Sequence, residues 1–191
     1  RLLVVISGWA TRCRYTSEGA RQIIHILLPG DLVTPDAQVT KTVDHEIEAH
    51  TAVCVRTLEP QIIQDLLIRA PSLALGLWWS SAQEEGMLRE QIVRLGRRSA
   101  LQRIPHLLLE LYRRLRLVDQ ADDGLMELPL TQTDIGDTLG LSPVHVNRTL
   151  RQLQDQGLLS YSGNTVEIED RAALAEASDF DTMHLHLSPA S

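Results

Sequence analysis

The chain has 191 residues, 43% of them apolar, with a formal net charge of −7. That length builds one or two domains around a sizeable core, and the acidic balance argues against a protein that coats nucleic acid indiscriminately. No apolar run approaches the ~20 residues of a membrane-spanning helix and no secretory leader is evident, while Cys13 and Cys54 alone exclude a disulfide framework or four-cysteine cluster within one chain.

The default compartment is therefore a reducing cytoplasm. Charge is unevenly spread: residues 1–85 carry net −3, residues 86–116 net +6 and residues 117–191 net −10. Aromatics are scarce, at 4%, which disfavours a base-stacking single-strand binder.

The first sixty residues read as short strands. Leu2–Ile6 is an apolar run closed by Ser7-Gly8. Trp9–Tyr15 is the next strand, Thr16–Gly19 a turn, and Arg21–Leu28 a third strand broken by Pro29-Gly30-Asp31. Val43–Val55 alternates in part, with Val43, Ile47, Ala49 and Val53 as inward candidates. Short strands at this spacing predict an all-β barrel or sandwich. The chain opens inside a strand, which predicts further residues ahead of Arg1.

Pro60 suits a first helical turn, and Ile62, Ile63, Leu66 and Leu67 give the next helix its apolar stripe before Pro71. From Ser72 to about Leu95 the spacing predicts one long helix with a seam of Ala74, Trp78, Ser81, Glu85, Leu88, Ile92 and Leu95. Such a stripe needs a partner: a second copy across a two-fold axis, or this chain's own β domain. Ser81 and Glu85 are read as setting helix register, and Trp78-Trp79 as packing between helix and β domain. Gly96 interrupts the pattern. Ser99 caps a further helix with Leu101, Ile104, Leu107, Leu108, Leu111 and Leu115 on one face. Val118–Pro129 reads as a polar connector.

Residues 131–157 carry the most information. Thr131 and Asp134 form a capping-box pattern, Ile135 and Leu139 mark one face of a short helix, and Gly140 ends it. Ser142 and Pro143 then start a second helix with Val146, Leu150 and Leu153 inward. This is the helix-turn-helix arrangement. Val144, His145, Asn147, Arg148 and Arg151 fall on the outer face, where a recognition helix meets the major groove. Arg148 suits guanine O6 and N7, Asn147 suits adenine, and His145 or Arg151 reaches a phosphate. Thr131, Gln132 and Ser142 complete the DNA-binding set. Between Pro143 and Asn164 the only acid is Asp155, so the groove-facing element is locally neutral to basic. Leu158–Tyr161 and Thr165–Ile168 flank Ser162-Gly163-Asn164 as a wing hairpin with a three-residue loop. Asp170 caps a short helix over 171–177, and 178–191 reads as a flexible tail.

Here the sequence resembles the Crp/Fnr family of bacterial transcription regulators. The resemblance rests on Ile6-Ser7-Gly8, Leu28–Asp31, Gly96–Ala100 before the leucine-rich helix, Asp134–Ser142, and Val146–Leu150. It implies an α+β protein: a truncated double-stranded β-helix, or jelly-roll, sensor over 1–70, a dimerisation helix over 71–96, and a winged helix-turn-helix over 97–177. It further implies a homodimer on an inverted-repeat promoter site in double-stranded DNA, with an unknown small-molecule effector and RNA polymerase as further partners. Its dimer contacts would be Trp78, Ser81, Glu85, Leu88, Ile92 and Leu95. The expected mechanism is reorientation of the DNA-binding domains about Gly96. Arg148 matches the family's base-reading arginine, but Val144 stands where the family has glutamate, so the preferred DNA sequence does not carry over.

Members that bind cyclic AMP have Gly-Glu and Arg-Ser pairs where this chain has Thr34-Pro35 and Val43-Asp44. A carboxylate in place of the arginine repels a cyclic phosphate, so no cyclic-nucleotide binding is expected. Two cysteines are too few for iron–sulfur sensing, and no cofactor or metal is expected. His184 and His186 lack a third ligand nearby, and His25, His45 and His50 read as surface or satisfied core histidines. No phosphate loop, nucleophile elbow or metalloprotease motif is present, so no enzyme is expected. The alternative function is a small-molecule sensor acting through protein contacts without DNA.

Overall fold

A computed structural model describes residues 1–34 and 42–187. The chain forms two compact units, Arg1–Leu88 and Arg89–Ser191. In the first, β1 (Leu2–Ser7) pairs antiparallel with β5 (Cys54–Leu58), while β2 (Ala10–Tyr15) lies between β3 (Arg21–Leu27) and β4 (Glu46–Ala49). Leu28–Asp31 makes a tight turn in which Asp31 N–H donates to the Leu28 carbonyl at 3.0 Å, and Asp31 Oδ2 accepts from the Leu28 N–H at 2.7 Å. The turn brings Val33 back to β1, where its N–H meets the Leu3 carbonyl at 2.8 Å. Val5, Ala10, Leu27 and Val33 form a core cluster with Leu3 and Val53 against it.

Two expectations for this unit change. Val43–Val55 is not one alternating strand: residues 50–53 separate β4 from β5, and Val43, Ile47 and Ala49 are exposed. Only Val53 of the four inward candidates meets the core, because β4 pairs as an edge strand with one side open. In α1 (Pro60–Arg69) only Ile63 is buried; Ile62 and Leu66 are exposed. Of the positions compared with cyclic-AMP-binding members, Pro35 lies outside the described residues.

The long helix α2 spans Ser72–Arg97. Gly96 therefore sits inside its last turn rather than interrupting it. Its buried positions in the C-terminal half are Gly86, Met87, Gln91 and Arg94, one step round from the expected seam. The seam stays open on this chain: Trp78 is 74% and Ile92 71% exposed, Ala74, Ser81 and Glu85 are exposed, and Leu88 and Leu95 are half-buried. Trp78 and Trp79 are thus exposed, not packing on the β strands.

In the second unit α3 (Ala100–Arg116) is the central helix, with Ile104, Leu107, Leu108, Leu111 and Leu115 buried and Leu101 exposed. Its start is fixed by Gln102, whose side-chain oxygen accepts from the Ser99 N–H at 3.0 Å and hydroxyl at 3.1 Å. The stretch read as a connector contains a hairpin, β6 (Ala121–Asp122) and β7 (Leu125–Glu127), joined by Asp123-Gly124 with φ of 44° and 90°. Both residues take the left-handed conformation a two-residue hairpin loop demands, which is why an Asp-Gly pair stands there. The Tyr112 hydroxyl accepts from Gly124 N–H and from Arg171 Nη1, each at 3.0 Å, and pins this hairpin to α3.

The flexible tail is also corrected through residue 187. After α6 (Arg171–Ser178) the chain turns back through Phe180 and a short 3-10 turn, Met183–Leu185, and Leu185 is completely buried. Residues 188–191 of that expected tail lie outside the described residues.

Candidate nucleic-acid interface

The site is built by two short helices whose ends are fixed by local chemistry. α4 (Gln132–Leu139) starts at Thr131, whose hydroxyl accepts from the Asp134 N–H at 3.1 Å, while Asp134 Oδ2 accepts from the Thr131 N–H at 2.8 Å. A capping interaction of this kind is worth about 1 kcal/mol. α4 ends at Gly140 in the left-handed conformation, φ 64° and ψ 39°. Leu141 N–H then returns to the Gly136 carbonyl at 3.0 Å. The turn is so tight that a Cβ at Gly136 would lie 2.4 Å from the Leu141 carbonyl oxygen.

Ser142 caps α5 (Pro143–Asp155), its Oγ accepting from the His145 N–H at 3.3 Å, with Pro143 in the first turn. Val146, Thr149, Leu150 and Leu153 are buried, and α5 packs on α3 and α4. That seals one side of α5 and leaves the other uncovered. Val144 is 79% exposed, Arg148 and Arg151 are exposed, and His145 and Asn147 are half-buried. Gln132, from the start of α4, faces the same place: with Pro143, Val144 and Asn147 it lines a shallow depression of about 280 Å³. Thr131 and Ser142 are exposed but use their hydroxyls as helix caps.

The wing follows as β8 (Leu159–Ser162) and β9 (Thr165–Ile168). Its register pairs Ser162 with Thr165, so the loop is Gly163-Asn164, two residues and not three. β7 pairs with β9, giving a four-stranded sheet in the order β6-β7-β9-β8. The wing is therefore an extension of a sheet anchored on α3, with Leu128 N–H bonded to the Asn164 carbonyl at 2.7 Å.

The last turns of α4 are held from behind by residues that sequence reasoning missed. Arg103 Nη1 donates to the Leu139 carbonyl at 2.9 Å, and Gln91 Nε2 to the Thr138 carbonyl. A cation at the carbonyl end of a helix also complements its dipole. Below lies a buried polar cluster. Arg94, 2% exposed, pairs with Glu110 and donates to His106 Nδ1 at 3.0 Å. Because a guanidinium can only donate, His106 Nδ1 accepts, and its Nε2–H points to Glu90 Oε1, 3.1 Å away. Burial first, and the Arg94 charge second, push the His106 pKa down to about 3. Burial works to raise the Glu110 carboxyl, but Arg94, the His184 hydrogen bond and Arg114 outweigh it and hold the acid well below the usual range. His184 Nε2 lies 3.2 Å from Glu110 Oε2, and Phe180 meets the His106 ring edge-on at 4.9 Å. His184 thus belongs to this cluster and not to a loose tail. No local signal marked the cluster: Arg94 shares its buried face of α2 with Gln91, and Glu110 shares its face of α3 with His106 and Arg114, so neither interrupts an apolar stripe.

In the first unit a further charge, Arg12, is buried in the middle of β2. It pairs with Glu84 of α2 and donates from Nη2 to the Val33 carbonyl at 2.9 Å. Asp44, at the position compared with the family's phosphate-binding pair, lies 3.2 Å from His45 Nδ1 and 3.7 Å from Arg14. His50 Nε2 meets Thr11 Oγ1 at 3.0 Å and His25 Nε2 is 3.9 Å from Asp31. Cys13 is buried and Cys54 exposed. Among the described residues, no group of three or more His, Cys, Asp or Glu is placed to hold a metal, and no helix is long and apolar enough to cross a membrane.

Residues 102–177 match the Crp-like helix-turn-helix domain. The nitrogen fixation regulation protein FixK of Azorhizobium caulinodans is 31% identical over 172 residues, which span 90% of this chain and 68% of that protein. The chain belongs to the Crp/Fnr family. The transcriptional activator protein FnrL of Cereibacter sphaeroides is 28% identical, over 93% of this chain and 73% of FnrL. The solved structure of FixK2 from Bradyrhizobium japonicum superposes with a TM-score of 0.80 at 30% identity, covering 92% of this chain and 86% of that one. As a Crp/Fnr protein the chain is a DNA-binding transcription regulator with a cyclic-nucleotide-binding-like first unit. Its relatives are regulators rather than enzymes, and a sensor acting only through protein contacts is not favoured.

Proposed function

We propose that this regulator works in the cytoplasm as a homodimer on an inverted-repeat promoter site, each α5 entering a major groove with the two grooves ~34 Å apart. One observation carries the reading: α5 seals Val146, Leu150 and Leu153 inward while Val144, Arg148 and Arg151 stand uncovered beside the start of α4. Arg148 reads guanine in bidentate fashion and Asn147 reads adenine. His145 and Arg151 take phosphates, and Thr131, Gln132 and Ser142 border the backbone. Partnering would come from the open α2 stripe of Trp78, Ser81, Glu85, Leu88, Ile92 and Leu95. RNA polymerase is the further protein partner of such a regulator.

Arg148→Ala should weaken specific binding by ~1–3 kcal/mol, read by fluorescence anisotropy on promoter duplexes across a salt series. An unchanged affinity would reject the role. The acidic surround, net −10 over 117–191, supports modest, salt-sensitive affinity that relies on dimer symmetry.

The effector acts at the first unit and is not a cyclic nucleotide, because the Asp44 carboxylate stands where a cyclic phosphate needs a cation. Residues 1–191 offer an iron–sulfur cluster only the buried Cys13 and the exposed Cys54. Isothermal titration should give no micromolar binding of cyclic AMP or cyclic GMP; a micromolar isotherm for either would overturn that exclusion.

A further inference from the structure

Val144 is a large apolar side chain, 79% exposed, in the first turn of the helix that meets DNA. It contributes nothing to the core beneath α5, which is made by Val146, Leu150 and Leu153. Beside it, Gln132, Pro143 and Asn147 complete a depression whose lining holds no charged side chain. Pro143 has no N–H to offer, so this wall is apolar on the Pro143–Val144 side and amide-bearing on the Gln132–Asn147 side.

The edges of the base pairs sort against such a surface. Cytosine presents an N4 amine and no methyl, so even where an amide oxygen of Gln132 or Asn147 accepts from that amine, Val144 and Pro143 are left without an apolar partner. Thymine presents the O4 acceptor and the C5 methyl. A side-chain amide can donate to O4 while the methyl loses water against Val144 and Pro143. We infer that the depression is a thymine-methyl subsite, and that each half-site carries a thymine at the base pair facing Val144. The inference rests on the reading of α5 as the groove helix and adds to it a base identity and the side chain that selects it.

The test begins by selecting binding duplexes from a random library with the full chain. In the selected duplex each thymidine is replaced in turn by deoxyuridine, which lacks only the C5 methyl. One thymine per half-site should show binding weakened about fourfold, the value of one buried carbon. Val144→Ala, at an exposed position that leaves the fold intact by circular dichroism, should show a smaller uracil penalty than the wild type. Val144→Glu should move the preference at that base pair towards cytosine. If the wild type tolerates uracil at every thymine, or Val144→Ala keeps the same uracil penalty, the subsite is wrong while α5 remains the reading helix. If Arg148→Ala binds the selected duplex as well as the wild type does, α5 is not in the groove and both readings fall.

Discussion

His106 shows how a single buried side chain ties stability to pH. Its neutral ring is fixed from two sides, by the Arg94 guanidinium on Nδ1 and Glu90 on Nε2. With its pKa lowered from 6.5 to about 3, the folded chain excludes a proton that the unfolded chain binds. The unfolded state therefore binds more protons in that window, and stability rises with pH through it. Acidification below 6.5 should destabilise the protein by up to about 1.4 kcal/mol per pH unit from this residue alone. Glu110 acts in the same direction, since its depressed acid contributes stability above the ordinary carboxylate range that is lost as the pH falls. Thermal melts of the full chain between pH 7 and pH 5 should show the loss, and His106→Gln should flatten the slope. A variant with the wild-type slope would remove His106 from the explanation.

At the scale of elements, what was legible is what is decided locally. The start of α4 needs only Thr131 and Asp134, that of α5 only Ser142 and Pro143, and that of α6 only Asp170, whose Oδ1 accepts from Ala172 and Ala173. Each signal lies within three residues of the end it fixes. The hairpin β6–β7 was legible in principle from Asp123-Gly124, but strands of two and three residues are too short to show alternation. The tail was hidden for a different reason: Phe180 and His184 are held by α3, some seventy residues earlier, and no local pattern announces such a docking. The tight turn yields a sharp prediction. Gly136→Ala forces a methyl against the Leu141 carbonyl, whose own residue is bonded back to Gly136. The two helices must then shift apart, and specific DNA binding should be lost in a gel-shift titration while circular dichroism still reports a helical protein. Retained binding would mean that the turn yields without moving α5.

For the whole molecule, the residue set on α2 matters most. A stripe containing Trp78 and Ile92 stays open on an isolated chain, and exposed apolar patches of this kind mark association surfaces. The sequence pattern found the stripe because coiled-coil spacing is periodic over several turns. It could not find the polar positions Gln91 and Arg94, one step round the helix, because their partners lie on other elements. Trp78→Glu places a charge in the stripe without disturbing any buried group. Analytical ultracentrifugation should report a dimer for the wild type and a monomer for this variant, with affinity for an inverted repeat falling to that of a single half-site. A variant that sediments as the wild type does would place the dimer contact elsewhere.

The sheet behind the wing carries one last consequence. On its outer side it finishes with β6, only two residues long and bearing Asp122. A ladder that stops so soon, at an acidic side chain, offers a passing polypeptide almost no unpaired backbone to copy. The regulator can thus display the open stripe of α2 to a second copy while this edge of the sheet resists the addition of a foreign strand.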